Sequence, residues 1–198
     1  MTSPLVTVEA NISPRDAVSI MRKNRIRRLI AVDEGNRLSG ILCHRDLTRA
    51  AERVGTAKQV KQIGDIMNSR VITIGQSEPI ESAARLMTKY HIGSLVVTQN
   101  ECPVGIITES DIFRALTYLL TANGNSVRIT FDITKNENIL QYLVETAFAK
   151  GLKLNSFLTF SENERLLAIA TISGDCLTSF IDDVWNSGHP IISVIDTC

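Results

Sequence analysis

The chain has 198 residues, 44% of them hydrophobic, and carries 21 basic and 21 acidic side chains, which excludes a disordered chain and a general attraction to nucleic acid. Its longest apolar run, residues 166–170, is far too short for a membrane span, and the N-terminus lacks the pattern of a signal peptide. Four scattered cysteines (Cys43, Cys102, Cys176, Cys198) form neither a zinc motif nor a disulfide framework, so a reduced cytoplasmic setting is expected.

Taken in chain order, Val6-Thr7-Val8 alternates as a short strand. Ser13-Pro14-Arg15-Asp16 then supplies an N-cap, a proline at the first helical position and a carboxylate three residues after the cap. The helix over 14–24 puts Ala17, Ile20 and Met21 on one face, as a core stripe requires. In "RKNRIRR", residues 22–28, five of seven side chains are basic. Arg22 and Lys23 suit a helix C-terminus. Arg27 and Arg28 stand at the entry to the next strand, 29–32, where alternation turns one of them toward a cleft. A guanidinium fork there can bind phosphate oxygens bidentately. Strand 38–43 follows the turn-rich "DEGNR", and a closing helix starts near Asp46 with Leu47 and Ala51 inward.

The chain then writes the same unit again. A shift of 66 places sets Met1 on Met67, Thr7 on Thr73, Met21 on Met87, Ile26 on Ile92 and Leu29 on Leu95. After a one-residue deletion, "GILCHRD" (40–46) falls on "GIITESD" (105–111), so Gly40 matches Gly105 and Asp46 matches Asp111. Self-similarity at a fixed spacing marks one supersecondary unit per copy. The second copy predicts a strand at 71–74, a helix over 79–90, strands at 95–98 and 104–108, and a helix from Asp111. The unit is β-α-β-β-α, over 1–60 and again over 61–122.

Thr108-x-x-Asp111 matches a capping box, a purely structural device. The first copy keeps Asp46 but has Cys43 in place of the threonine, which a capping role alone does not explain. A carboxylate at a strand-to-helix corner accepts both hydroxyls of a ribose, while the helix N-terminus offers N–H groups to phosphate. Where the first copy has Arg27 and Arg28, the second has Gly93 and Ser94, preceded by His91 and Ile92. The two corners therefore differ in the charge they present.

Residues 1–124 hold 16 basic and 12 acidic side chains, and 125–198 hold 5 and 9. The sign changes near the loop-like "ANGNS", 122–126, and a linker at 123–126 is expected. Beyond it the pattern predicts strand 127–133, helix 138–150, strands 153–160 and 166–172, helix 175–187 and strand 191–195. Gly151 and Gly188 each follow a helix, and Ser173-Gly174-Asp175 caps the second one. The β-α-β-β-α-β order is ferredoxin-like, so the whole chain is of mixed α/β (α+β) class.

Two units carrying "IRRLIAVD…SGILCHRDL" and "IGSLVVT…VGIITESDI" resemble a tandem CBS-domain pair, the Bateman module. The resemblance implies two repeats packed about a pseudo-twofold axis, leaving two clefts that take adenine nucleotides. Carried over, one cleft uses Thr108, Ser110 and Asp111 with Thr7, Ile26, Arg27 and Arg28. The other uses Arg45, Asp46 and Arg27 with Thr73 and Ile92. The complete Thr108/Ser110/Asp111 set implies tighter binding on the Asp111 side. Next to such a pair, residues 127–198 resemble an ACT domain, and the layout resembles the acetoin-utilisation CBS–ACT proteins. The glycine-free loop "DITKNEN", 132–138, favours pairing between copies over amino-acid binding there.

No nucleophile, base and orienting group come together in sequence among His44, His91, His189 and the cysteines; Cys43 and His44, read as strand neighbours, point to opposite faces. The expected function is a non-catalytic regulator that senses AMP, ADP, ATP or a related adenosyl ligand and signals through a homodimer. It needs no metal or catalytic cofactor and engages neither nucleic acid nor membrane. The alternatives are a dimerising scaffold with vestigial clefts and an ACT-led amino-acid sensor.

Overall fold

A computed structural model describes residues 5–52, 60–121, 124–135 and 138–196. The match of Met1 to Met67, the first residue of the expected linker, Asn136 and Glu137 of the 132–138 loop, and Cys198 lie outside the described residues. By its contacts the chain divides into two compact units, Met1–Ile112 and Phe113–Cys198.

In the first unit each repeat builds a three-stranded sheet backed by helices. Repeat one comprises β1 (Thr7–Glu9), α1 (Pro14–Lys23), β2 (Arg28–Val32), β3 (Leu38–Cys43) and α2 (His44–Glu52). Repeat two comprises β4 (Thr73–Gly75), α3 (Ile80–Tyr90), β5 (Ser94–Gln99), β6 (Cys102–Thr108) and α4 (Glu109–Leu120). In both sheets a short first strand runs parallel to the second, and the second runs antiparallel to the third. Only three residues of β1 and of β4 pair, so both first strands sit further along the chain than alternation alone suggests. Val71 and Ile72 are thereby left outside the ladder.

The first helix starts where its cap says it should. Ser13 Oγ accepts the Asp16 N–H at 3.1 Å, with Pro14 at the first position and Arg22 and Lys23 in the last turn. Its inward stripe, Ala17 and Met21, packs with Leu29, Leu42 and Leu47 as the core of repeat one. Repeat two mirrors this with Ala83, Met87, Leu95 and Val97. Both first helices end in a left-handed residue that is not glycine: Arg25 at φ 54° and His91 at φ 52°, one repeat apart. In each case the next N–H closes back on the helix, Ile26 onto Met21 O at 2.9 Å and Ile92 onto Met87 O at 3.0 Å.

The lead-in to the second repeat belongs physically to the first. Ile63, in a 3-10 turn over Ile63–Asp65, is fully buried in the core of repeat one. The backbone of this segment bonds to Ile12 and Ala10, and Asn68 bridges to Ile41 of β3. Met67 lies so close over Gly40 that a Cβ there would meet its sulfur at 2.5 Å.

The second unit is a four-stranded antiparallel sheet in the order β10-β7-β9-β8, formed by β7 (Ser126–Asp132), β8 (Lys153–Glu162), β9 (Arg165–Ser173) and β10 (Ile191–Asp196). Helices α5 (Ile139–Ala149) and α6 (Leu177–Asn186) pack on one face, closing a core of Ile129, Phe131, Leu143, Ala170 and Phe180. The element order and strand order match the ferredoxin-like pattern. Gly151 adopts φ 67° just after α5, and Leu152 N–H closes onto Ala147 O at 2.8 Å. Lys150 ties α5 to α6 through Asp183 at 2.8 Å. The division between units falls inside α4, upstream of the composition change at 122–126. Among the described residues, no helix is long and apolar enough to cross a membrane.

If Ile63 is a core residue of repeat one, Ile63→Ala should cost about 2–5 kcal/mol, as for other large-to-small core changes. Urea unfolding followed by circular dichroism should show the loss as a lower midpoint. An unchanged midpoint would remove this segment from the core.

Candidate functional site

The strand-to-helix corners are built alike. In repeat one the Cys43 N–H donates to Asp46 Oδ2 at 2.8 Å, and in repeat two the Thr108 N–H donates to Asp111 Oδ2 at 2.9 Å. Each carboxylate thus terminates its strand and opens its helix. The Thr108 corner is closed further: the hydroxyl donates to Asp111 Oδ2 at 2.8 Å and accepts the Asp111 N–H at 3.3 Å. That reciprocal pattern is the capping box read from the sequence. Cys43 has no hydroxyl, so the Asp46 corner keeps the backbone bond without the threonine's reciprocal pair.

A cleft of about 840 Å³ opens at the Asp46 corner and lies between the two repeats. Repeat one contributes Arg27 and Arg28 at the start of β2, Cys43 at the end of β3, and Arg45, Asp46 and Arg49 on α2. Repeat two contributes Val71 and Ile72 ahead of β4, the segment 91–94, and Glu109 at the start of α4. Antiparallel pairing of Arg28 with Cys43, and of Ser94 with Thr108, brings these strand ends to the cleft. The His44 N–H bonds Arg27 O at 2.9 Å, which fixes the backbone carrying both arginines.

Arg28 crosses between repeats. Its Nη2 donates to Gly93 O at 3.4 Å, and the same carbonyl accepts the Glu109 N–H at 3.4 Å. A Cβ on residue 93 would sit 3.0 Å from Glu109 Oε2 and 3.4 Å from Arg28 Nη2. The glycine where repeat one has Arg27 therefore leaves room for the arginine of the other repeat. His91, held left-handed at the end of α3, also lines the cleft. Non-glycine residues held in that region store strain and concentrate at functional sites.

Of the residues singled out in the sequence, Arg27, Arg28, Arg45, Asp46 and Ile92 come together in this cleft. Arg28 lines the Asp46 side, although the resemblance assigned it to the Asp111 side, because β2 pairs it directly with Cys43. Thr7, Ile26, Thr73, Thr108, Ser110 and Asp111 are not among the lining residues. Sequence reasoning missed Arg49, Arg70, His44, His91, Glu109, Val71 and Ile72. For Arg49 the signal was present, since it sits three residues after Asp46 and four after Arg45 on one helix. For Arg70 there was none, because its place depends on where β4 begins.

His44 is the first residue of α2 and not a strand residue, so both Cys43 and His44 reach the cleft. Burial pushes the Cys43 thiol above its ordinary range, the Asp46 carboxylate adds to that effect, and Arg28 opposes it. Such a thiol is a poor nucleophile. Among the described residues no group of three or more His, Cys, Asp or Glu side chains gathers to hold a metal.

Residues 1–53 and 63–118 match the family model of the CBS domain, and the chain belongs to that family. Over 115 residues it is 36% identical to an L-aspartate semialdehyde sulfurtransferase of Methanocaldococcus jannaschii, a match that covers 58% of this chain and 22% of that protein. The chain thus spans less than a quarter of that relative's length. Among solved structures it is similar to the CBS domain pair of protein MJ0100, which was crystallised with 5′-methylthioadenosine and S-adenosyl-L-methionine. That likeness has a TM-score of 0.54 and 34% identity, covering 59% of this chain and 90% of the other. An acetoin utilization protein (AcuB) from Vibrio cholerae is similar at TM-score 0.55 and 30% identity, covering 61% and 89% of the two chains.

Alkylation with iodoacetamide at mildly alkaline pH, followed by peptide mass spectrometry, should label exposed Cys176 well before Cys43. Cys43 reacting first would contradict the raised thiol pKa.

Proposed function

We propose that this chain is a non-catalytic regulatory protein whose inter-repeat cleft takes an adenosyl ligand such as AMP, ADP or ATP. The observation that carries the reading is the cleft itself. One wall offers the Asp46 carboxylate beside the arginines at the start of β2, and the other offers apolar Val71, Ile72 and Ile92. A carboxylate suits ribose hydroxyls, guanidinium groups suit phosphate, and half-buried aliphatic side chains suit a base. The volume of about 840 Å³ falls within the usual range for small-molecule sites. The adenosyl ligands of the MJ0100 domain pair support the same class.

The reading places the working site at the Asp46 corner. The Thr108 hydroxyl at the other corner already occupies Asp111 Oδ2. A ligand on that side has to compete with an intact capping box, whereas Asp46 has no threonine hydroxyl to displace.

The second unit serves in this reading as an ACT-like pairing module. Its edge strands carry exposed apolar side chains, Leu158 and Phe160 on β8 and Ile192 and Ile195 on β10. Edges of that kind invite pairing with another copy. A homodimer built this way, working in the cytoplasm, would convert ligand binding into a change that a regulated partner reads.

Thermal unfolding with AMP, ADP, ATP and S-adenosyl methionine tests the site. A ligand at 100 times its dissociation constant should add about 2.7 kcal/mol of stability. Asp46→Ala should lose most of that gain, and Asp111→Ala should lose little. Equal shifts in wild type and Asp46→Ala would move the site elsewhere. Light scattering should give twice the chain mass, and a monomer at micromolar concentration would remove the pairing role.

A further inference from the structure

Five arginines line the cleft, Arg27, Arg28, Arg45, Arg49 and Arg70, against two carboxylates, Asp46 and Glu109. None of the five is within ion-pair distance of a described carboxylate. Arg28 makes a long guanidinium contact within the protein, 3.4 Å to Gly93 O, and lies beside the Cys43 thiol. Side chains gathered in a concave site with a surplus of one sign, here five arginines against two carboxylates, repel one another and focus potential for an anion. We propose that the cleft selects a nucleoside di- or triphosphate over sulfonium and uncharged adenosyl compounds, and that Arg49 and Arg70 are the specificity-determining residues for phosphates beyond the first. This rests on the adenosyl reading above and narrows it.

The count of guanidinium groups decides the class. One phosphate is held by one or two bidentate forks, and Arg27 with Arg28 already supply two at the start of β2. Arg45 and Arg49 extend the positive surface along one face of α2, a helical turn apart. Arg70 stands in the segment that leads from repeat one into β4, directly ahead of the apolar pair Val71 and Ile72. Guanidinium groups therefore come from β2, from α2 and from the segment leading into β4, and three remain after a monophosphate is satisfied.

The same surface opposes a sulfonium. S-adenosyl methionine adds a positive charge where the lining carries a surplus of three. Methylthioadenosine gives the arginines nothing to bind. The MJ0100 pair, 34% identical, was crystallised with those two ligands, so fold similarity alone does not predict the preference. The charge lining this cleft does.

Calorimetry on the full chain with ATP, ADP, AMP, adenosine, S-adenosyl methionine, methylthioadenosine and inorganic tripolyphosphate tests the proposal. ATP and ADP should bind on the order of tenfold tighter than AMP, with adenosine and both sulfur compounds weaker still. The exposed pair changed together, Arg49→Gln with Arg70→Gln, should collapse the ATP-to-AMP ratio about tenfold, with circular dichroism confirming an unchanged fold. S-adenosyl methionine or methylthioadenosine binding as tightly as ATP would overturn this inference and leave the adenosyl reading standing. Tripolyphosphate binding as tightly as ATP, with adenosine binding nowhere, would overturn the adenosyl reading and leave the anion preference standing. An unchanged ATP-to-AMP ratio in the double variant would overturn the role of Arg49 and Arg70.

Discussion

A carboxylate oxygen that closes onto the last strand N–H three residues upstream sets the geometry of both CBS repeats. Cys43 N–H to Asp46 and Thr108 N–H to Asp111 are nearly equal, at 2.8 and 2.9 Å. The bond fixes where the third strand stops and where the closing helix begins, which aims the helix N-terminus and its first side chains at the space between repeats. A charge-assisted bond of this kind is among the stronger hydrogen bonds in a folded chain. Once the corner is set, the antiparallel register carries the start of the second strand to the same place, and with it Arg28 or Ser94.

The repeats share that frame and have diverged in what they hang on it. Threonine at one corner completes a closed local network, while cysteine at the other supplies no hydroxyl to close it. Arginine at 27 and glycine at 93 divide one task between the copies: one brings charge, and the other makes room for charge to cross. The Gly93 carbonyl, accepting from both Arg28 and Glu109 at 3.4 Å, is a weakly held crossing point. Phosphate oxygens are stronger acceptors for Arg28 than a shared, long carbonyl contact. The Arg28 contact to Gly93 O is thus a direct but weak tie between the repeats.

Helix α4 contains the boundary between the two compact units. Its first residue, Glu109, lines the cleft, and its later residues, from Phe113, belong to the second unit. Within that unit, Arg128 of β7 donates to Leu120 O at 3.0 Å, at the last residue of the helix.

Much of the fold was legible from residue order, because helix caps, apolar stripes and turn residues act over three or four positions. Ser13 capping Asp16, Gly151 in the left-handed region, the twofold repetition and the β-α-β-β-α-β tail all follow from such local rules. The corner aspartates were legible for the same reason. Residue order did not decide that the Asp46 corner opens into this cleft, which repeat owns Ile63, or that Arg49, Arg70, His91 and Glu109 share a space with Asp46. Those facts depend on strand register and on the packing of segments more than sixty residues apart, as Arg28 and Gly93 are. Even the length of a first strand was a tertiary matter: β1 and β4 pair over three residues, and that shortness frees Val71 and Ile72 for the cleft. Local chemistry determined the elements and their ends, and long-range pairing decided which side chains meet.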